Sequence, residues 1–179
     1  MNATRTFACA ALLIVAQTVN AVEYNQVAPE RSRLAFAYKQ MGVAMNGGFK
    51  RFTAQLAFDP AKPEAGRFNL NLDMASIDAG YPEANAEVGG KDWFDFKRFP
   101  QASFVSSGVR PLGGNRYEAR GTLTIKGKAR PVTAPFTLRA DKTGASLDGA
   151  FVLKRLDYGI GEGSWGDTSV VADEVQIQF

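Results

Sequence analysis

The side chains able to do chemistry in this sequence are few, and nearly all are carboxylates. Asp92 and Asp95 stand three apart, and Asp157, Asp167 and Asp173 follow near the C-terminus. Two such acids at a suitable separation would make the acid and base, or acid and nucleophile, of a glycosidase. Nothing else supplies them with a partner. No His occurs among the 179 residues, which removes Ser-His-Asp, Cys-His and HExxH chemistry together with His-held zinc or haem. Asp167-Thr168-Ser169 does not match an EF-hand loop, and the glycine-rich stretch Gly159 to Gly166 lacks the Lys-Ser/Thr of a phosphate-binding loop. Acids at turns and strand ends are ordinarily solvated or bonded to backbone. The carboxylates are therefore read as structural, no catalytic residue is assigned, and a carboxylate-dependent hydrolase is kept as a lesser alternative.

The elements that must hold these residues are strands. Apolar and polar residues alternate with period two in Leu34/Phe36/Tyr38, Phe52/Ala54/Leu56/Phe58 and Phe68/Leu70/Leu72/Met74. The same pattern recurs in Tyr117/Ala119/Leu123/Ile125, Val132/Ala134/Phe136/Leu138, Leu147/Gly149/Phe151/Leu153 and Val175/Ile177/Phe179, each with one face to bury. Turn residues fall between the runs at Asp59-Pro60, Pro63 to Gly66, Gly113-Gly114-Asn115, Gly127-Lys128 and Asp141 to Gly144. Strands joined this closely pair antiparallel, and periodicity alone leaves a sandwich and a closed barrel both open. Tyr81 to Pro100 is the exception. Glu83 to Val88 and Lys91 to Phe96 each read as a short helical turn, broken at Gly89-Gly90, bringing Trp93, Phe94, Phe96 and Phe99 together as a cap or plug. Gly121 and Gly149 are expected where strands bend.

Arg5 precedes an apolar run from Phe7 to Ala16, followed by Val19-Asn20-Ala21. This reads as a cleaved signal peptide spanning 1–21, its ten-residue apolar run too short for the roughly 20 apolar residues of a membrane span. The domain is then 22–179, with no transmembrane anchor after cleavage. Cys9, the single cysteine, goes with the leader, so thiol chemistry is excluded. A net charge of +3 gives no case for a nucleic-acid partner.

Certain pieces in order carry a family resemblance: Arg31-Ser32-Arg33-Leu34-Ala35-Phe36, Met41-Gly42-Val43, Gly48-Phe49-Lys50-Arg51-Phe52, Ala75-Ser76-Ile77-Asp78 and Asp92-Trp93-Phe94-Asp95. Gly121 to Gly127, Arg155-Leu156-Asp157-Tyr158-Gly159-Ile160 and Asp173-Glu174-Val175 continue it. Over residues 24 to 179 the chain resembles the YceI-like family of exported lipid-binding proteins. The resemblance implies an all-β fold, an eight-stranded antiparallel lipocalin-like β-barrel with a short helical cap segment, holding a polyisoprenoid. The implied ligand is an isoprenoid quinone or a prenyl diphosphate, with no catalytic cofactor. It also implies export to the periplasm and leaves open a membrane quinone-linked redox protein as partner. Relatives commonly carry His where this chain has Arg31 and Gln40, and an Arg-Asp-x-His stretch where it has Glu83 to Val88. It looks like a histidine-poor branch, without a His contact to a head group or a metal.

An eight-stranded barrel is about the size at which side chains fill the interior or leave room for one slender ligand. The expected lining is Phe36, Tyr38, Phe52, Phe68, Leu70, Leu72, Trp93, Phe94, Phe104, Leu123, Phe136 and Phe151. Gln40, Lys91 and Arg98 are the expected head-group contacts, with Arg31 and Lys97 also considered. Each five-carbon isoprene unit would contribute roughly 3 to 4 kcal/mol by burial before ordering costs. The competing reading is a solid-core β module acting through a protein partner in an envelope stress response. A continuous apolar tunnel separates the two readings, and the oligomeric state stays open.

Overall fold

The computed structural model describes residues 23–179, so the leader expected at 1–21, with Cys9, lies outside the described residues. The alternating segments become strands: β1 (Leu34–Gln40), β2 (Val43–Phe49), β3 (Phe52–Ala57), β4 (Arg67–Asp73), β5 (Ile77–Asp78), β6 (Gln101–Gly113), β7 (Arg116–Ile125), β8 (Lys128–Ala140), β9 (Ala145–Lys154) and β10 (Glu174–Gln178). All pair antiparallel in one curled sheet, in the order β3-β4-β6-β7-β8-β9-β10-β1-β2-β5. Connections are short where the sequence places turn residues. Between β1 and β2, Met41 and Gly42 both take positive φ, 49° and 80°, the geometry whose twist suits a two-residue hairpin.

Ten strands stand where the resemblance implies eight, and the excess arises at one corner. β2 runs into β3 through Lys50-Arg51, and β4 runs into β5 through a 3-10 turn at Met74–Ser76. Phe52 faces Leu72 in the β3–β4 pair, while Phe49 faces Ile77 in the β2–β5 pair, so the register slips where both strands bend. Ser76 pins the bend: its Oγ donates to the Asp73 carbonyl at 2.7 Å and accepts from the Arg51 N–H at 3.0 Å. Counted as bent strands, β2 with β3 and β4 with β5 restore the expected number.

Beyond Leu34, which faces Phe49, the wall beside β3 is made by the segment 23–33. Tyr24 exchanges two backbone hydrogen bonds with Phe58, at 2.8 and 2.9 Å, and Ser32 Oγ donates to the Ala28 carbonyl at 2.8 Å. Among the described residues this segment makes no other backbone hydrogen bond to that side of the sheet.

The interior divides in two. At the end holding the β6–β7 and β8–β9 turns, Phe58, Val109, Tyr117, Ala119, Phe136 and Leu138 pack solidly. Phe58 is wholly buried there, with Tyr117 edge-on at 5.1 Å and Phe136 at 5.7 Å between ring centroids. Toward the other end, Leu34, Leu72, Met74, Leu123, Ile125, Leu153, Tyr158 and Ile160 form a second cluster. The cap over that end corrects one expectation. Its first turn is the helix α1 (Pro82–Glu87), but Lys91 to Phe96 is not helical. Asp95 there has φ 51°, outside the helical region, and the Phe94, Asp95 and Phe96 amides donate back to Val88, Gly90 and Gly89.

The glycines expected at bends answer to crowding. A side chain at Gly121 would meet the Val105 carbonyl and the Phe104 ring, and one at Gly149 would meet the Pro135 carbonyl and the Phe179 ring. Opposite Gly121, the β6 register is irregular between Ser106 and Gly108.

Candidate functional site

Alternation along the strands sends one face of each inward, and the inward faces do not meet. They enclose a cavity of about 1260 Å³. All twelve residues expected to line it do so: Phe36 and Tyr38 from β1, Phe52 from β3, Phe68, Leu70 and Leu72 from β4, Trp93 and Phe94 from the cap, Phe104 from β6, Leu123 from β7, Phe136 from β8 and Phe151 from β9. Leu70 faces Phe104 and Phe104 faces Leu123 across neighbouring strands, so the lining is one continuous apolar band. Phe36, Phe52, Phe68, Leu70, Phe104 and Phe151 are only half-buried, and the surface they keep is cavity wall.

The cap end of the cavity is polar but carries no available cation. Gln40 lines it and accepts a hydrogen bond at Oε1 from the Tyr81 hydroxyl at 3.0 Å. Tyr38 donates its hydroxyl to the Ala79 carbonyl at 3.0 Å; burial pushes its pKa up, and the neighbouring Tyr81 adds to the effect. Glu83 and Glu87 line the rim. Lys91 and Arg98 do not take part, which corrects the head-group expectation for both. Neither lines the cavity; Lys91 is exposed, and Arg98 turns to Asp95 at 3.5 Å and over the Phe99 ring at 5.1 Å.

Arg155 also lines this end and was not singled out from sequence. It is 2% exposed, yet all its hydrogen bonds go to backbone carbonyls. Nε donates to Ala172 at 3.1 Å, Nη1 to Ile160 and Gly161 at 2.8 Å each, and Nη2 to Trp165 and Val171 at 2.7 Å each. These bonds use all five guanidinium donors. Burial pushes its pKa down, and Asp173 works against that shift. Arg155 therefore organises the loop over residues 160–172 and has no donor left for a ligand. A signal existed in its place within Arg155-Leu156-Asp157-Tyr158-Gly159: a basic residue four before a glycine, which takes a left-handed φ of 66°, sits where the chain turns back on itself.

The carboxylates weighed for catalysis stand apart from the cavity. None of Asp92, Asp95, Asp157, Asp167 and Asp173 lines the cavity. The Asp92 carbonyl accepts from the Gly161 and Glu162 amides at 2.8 Å each, Asp173 Oδ1 accepts from the Leu156 amide at 3.0 Å, and Asp167 Oδ1 accepts from the Ser169 amide at 2.8 Å. Among the described residues no cluster of His, Cys, Asp and Glu has the arrangement of a metal site.

An antiparallel β-barrel closed by an aromatic plug at one end and a short cap at the other, with an apolar cavity between, is the class of molecule that fold and site define. Residues 26–179 match the YceI-like domain, and the chain belongs to the YceI-like family. It is 30% identical over 176 residues to a UPF0312 protein of Pseudomonas putida, covering 92% of each. With a UPF0312 protein of Pseudomonas syringae the identity is 32% over 122 residues, spanning 64% of that relative's length. Among solved structures, Burkholderia cenocepacia BcnA superposes with a TM-score of 0.84 at 48% identity, over 86% of this chain and 97% of that one. A polyisoprenoid binding domain from Saccharophagus degradans shares the fold, with a TM-score of 0.63 at 14% identity over 82% and 90% of the two chains.

Proposed function

We propose that this protein is a non-enzymatic carrier that shields one polyisoprenoid chain from water inside the barrel. The observation that supports the reading is the cavity: about 1260 Å³ of space walled by aliphatic and aromatic side chains, larger than the roughly 300–1,000 Å³ of ordinary small-molecule sites. A solid-core module acting through a protein partner calls for a filled interior, and this interior is not filled. Membership of the YceI-like family, and the likeness in fold to a domain described as polyisoprenoid-binding, agree with the carrier reading. The leader read at 1–21 supports export of the carrier to the periplasm, where a water-insoluble lipid needs such shielding to leave a membrane.

The test is native mass spectrometry, with solvent extraction, of protein exported to the periplasm and purified without detergent. A stoichiometric added mass matching a polyprenyl chain is expected. A bare polypeptide mass from folded protein that also takes up no added polyprenyl lipid would overturn the reading.

A further inference from the structure

The strands do not close the wall on every side. β3 is paired along one edge only, to β4. β9 outruns β10: beyond the bonds joining Gly149 to Phe179, Ala145 to Asp148 pair with β8 alone. Neighbouring strands share a ladder at a spacing of about 4.7–4.9 Å, and among the described residues these two edges share none. What crosses the seam is the segment 23–33. Tyr24 packs on the aromatic plug, as do Ala145 and Leu147 from β9, and Arg31 comes near enough to the β8–β9 turn for Asp141 to feel its charge.

The cavity runs through this seam to the surface. Asn25 and Gln26 of the segment, Gln55 on β3 and Ser146 and Asp148 on β9 wall the same space as the interior Leu70, and all five are exposed. The segment is also lightly held. From Glu23 to Arg33 only Tyr24 and Val27 are half-buried, and among the described residues its backbone is tied to the strands only by the two Tyr24–Phe58 bonds. The cap is fastened by more: Tyr81 to Gln40, the Ala79 amide to Asn85, Trp165 to Glu87, and the Gly161 and Glu162 amides to the Asp92 carbonyl. Sparse apolar burial and few backbone bonds mark the parts of a fold that open first.

Resting on the carrier reading, we infer that the lipid enters and leaves sideways through this seam, with the segment 23–33 as its door. The door is hinged at Leu34, where the chain enters β1, and latched at Tyr24. Threading a long chain in from an end would require either the plug around the wholly buried Phe58 or the fastened cap to come apart. A seam along the wall admits the chain broadside with both ends intact.

The test follows uptake and release of all-trans-retinol, a fluorescent isoprenoid alcohol, by stopped-flow energy transfer from Trp93 and Trp165, which line the cavity. The antiparallel Tyr24–Phe58 bridge lays the segment alongside β3, and the single cysteine of the chain is Cys9, so Q26C/Q55C can be joined by a short bis-methanethiosulfonate linker and freed by reductant. The joined protein is expected to take up and release retinol at least about tenfold more slowly than the same protein after reduction, as a door that sets the rate requires. Y24A, which removes the latch, is expected to speed uptake and release together by about five- to tenfold while affinity stays within about twofold. Rates that are equal before and after reduction, or a Y24A variant whose uptake and release do not rise together, would overturn the seam as the route and leave the carrier reading standing. Failure of the unaltered protein to take up retinol would remove both.

Discussion

Trp165 donates its indole N–H to Glu87 Oε1 at 3.0 Å, tying the loop before β10 to α1 across the cap. The same indole packs on Trp93 at 5.4 Å between ring centroids, and Trp93 in turn lies 5.8 Å from the Arg155 guanidinium. The cap is held by a chain of contacts in which Glu87–Trp165 is the solvent-facing link. Trp93 Nε1 is buried within this chain without a hydrogen-bond partner, a cost the closed cap carries.

Cutting that link should loosen the cap alone. Glu87→Ala removes a bond contributing about 0.5–1.5 kcal/mol, so cap amides within 82–94 are expected to exchange hydrogen up to about tenfold faster. The β7 and β8 amides should be unchanged. Hydrogen-exchange mass spectrometry reads both, and uniform acceleration across the barrel would show that the cap does not move as a unit.

Arg155 tests a larger quantity. Arg155→Met keeps the apolar stem and leaves the carbonyls of Ile160, Gly161 and Val171, among others, without donors. Each buried unsatisfied group costs about 1–3 kcal/mol, partly recovered by rearrangement. A loss near 3 kcal/mol or more in urea unfolding is expected, and a loss under about 1 kcal/mol would mean the loop over 160–172 is held by other contacts.

At Gly149 the backbone bonds twice to Phe179, at 2.9 and 3.0 Å, so the strand cannot easily shift to admit a side chain. Gly149→Val is expected to destabilise by about 1–3 kcal/mol through overpacking against the Phe179 ring and the Pro135 carbonyl. An unchanged melting temperature would show that this edge yields.

The pH profile should be flat across neutrality because the chain has no His. The carboxyls of Asp78, Glu118 and Glu162 are held below their ordinary values of 3.8, 4.5 and 4.5, chiefly by side-chain hydrogen bonds from Lys50, Arg110 and Lys126. A carboxyl lowered in the folded state contributes stability that is complete above its unfolded pKa and is lost as pH falls through the folded one. Melting temperature is therefore expected to hold from pH 8 to about 5 and to decline only below about 4. These groups are exposed, so the decline should be shallow, and a step between pH 6 and 7 would contradict the assignment.

The alternating strands were legible because burial of one face writes itself into every second residue, as in Phe68-Asn69-Leu70-Asn71-Leu72. β2 was not, because Val43 to Phe49 mixes Asn46, Gly47 and Gly48 into its run; Gly47 is there because the Phe36 ring occupies the space of a side chain, a cross-strand fact with no local sign. The aromatic lining could be named from period and position. Lys91 and Arg98 misled because cations near a cap carry no record of their direction.

The aromatic plug around Phe58, Tyr117 and Phe136 separates what keeps the molecule folded from what it can hold. Substitutions in the hollow half need not disturb that packed end, so the chamber is free to change its shape and contents over evolutionary time while the scaffold stays intact. A designer wishing to fit the vessel to a foreign guest would leave Phe58 and its neighbours untouched and recarve the walls from Phe36, Leu70 and Phe151.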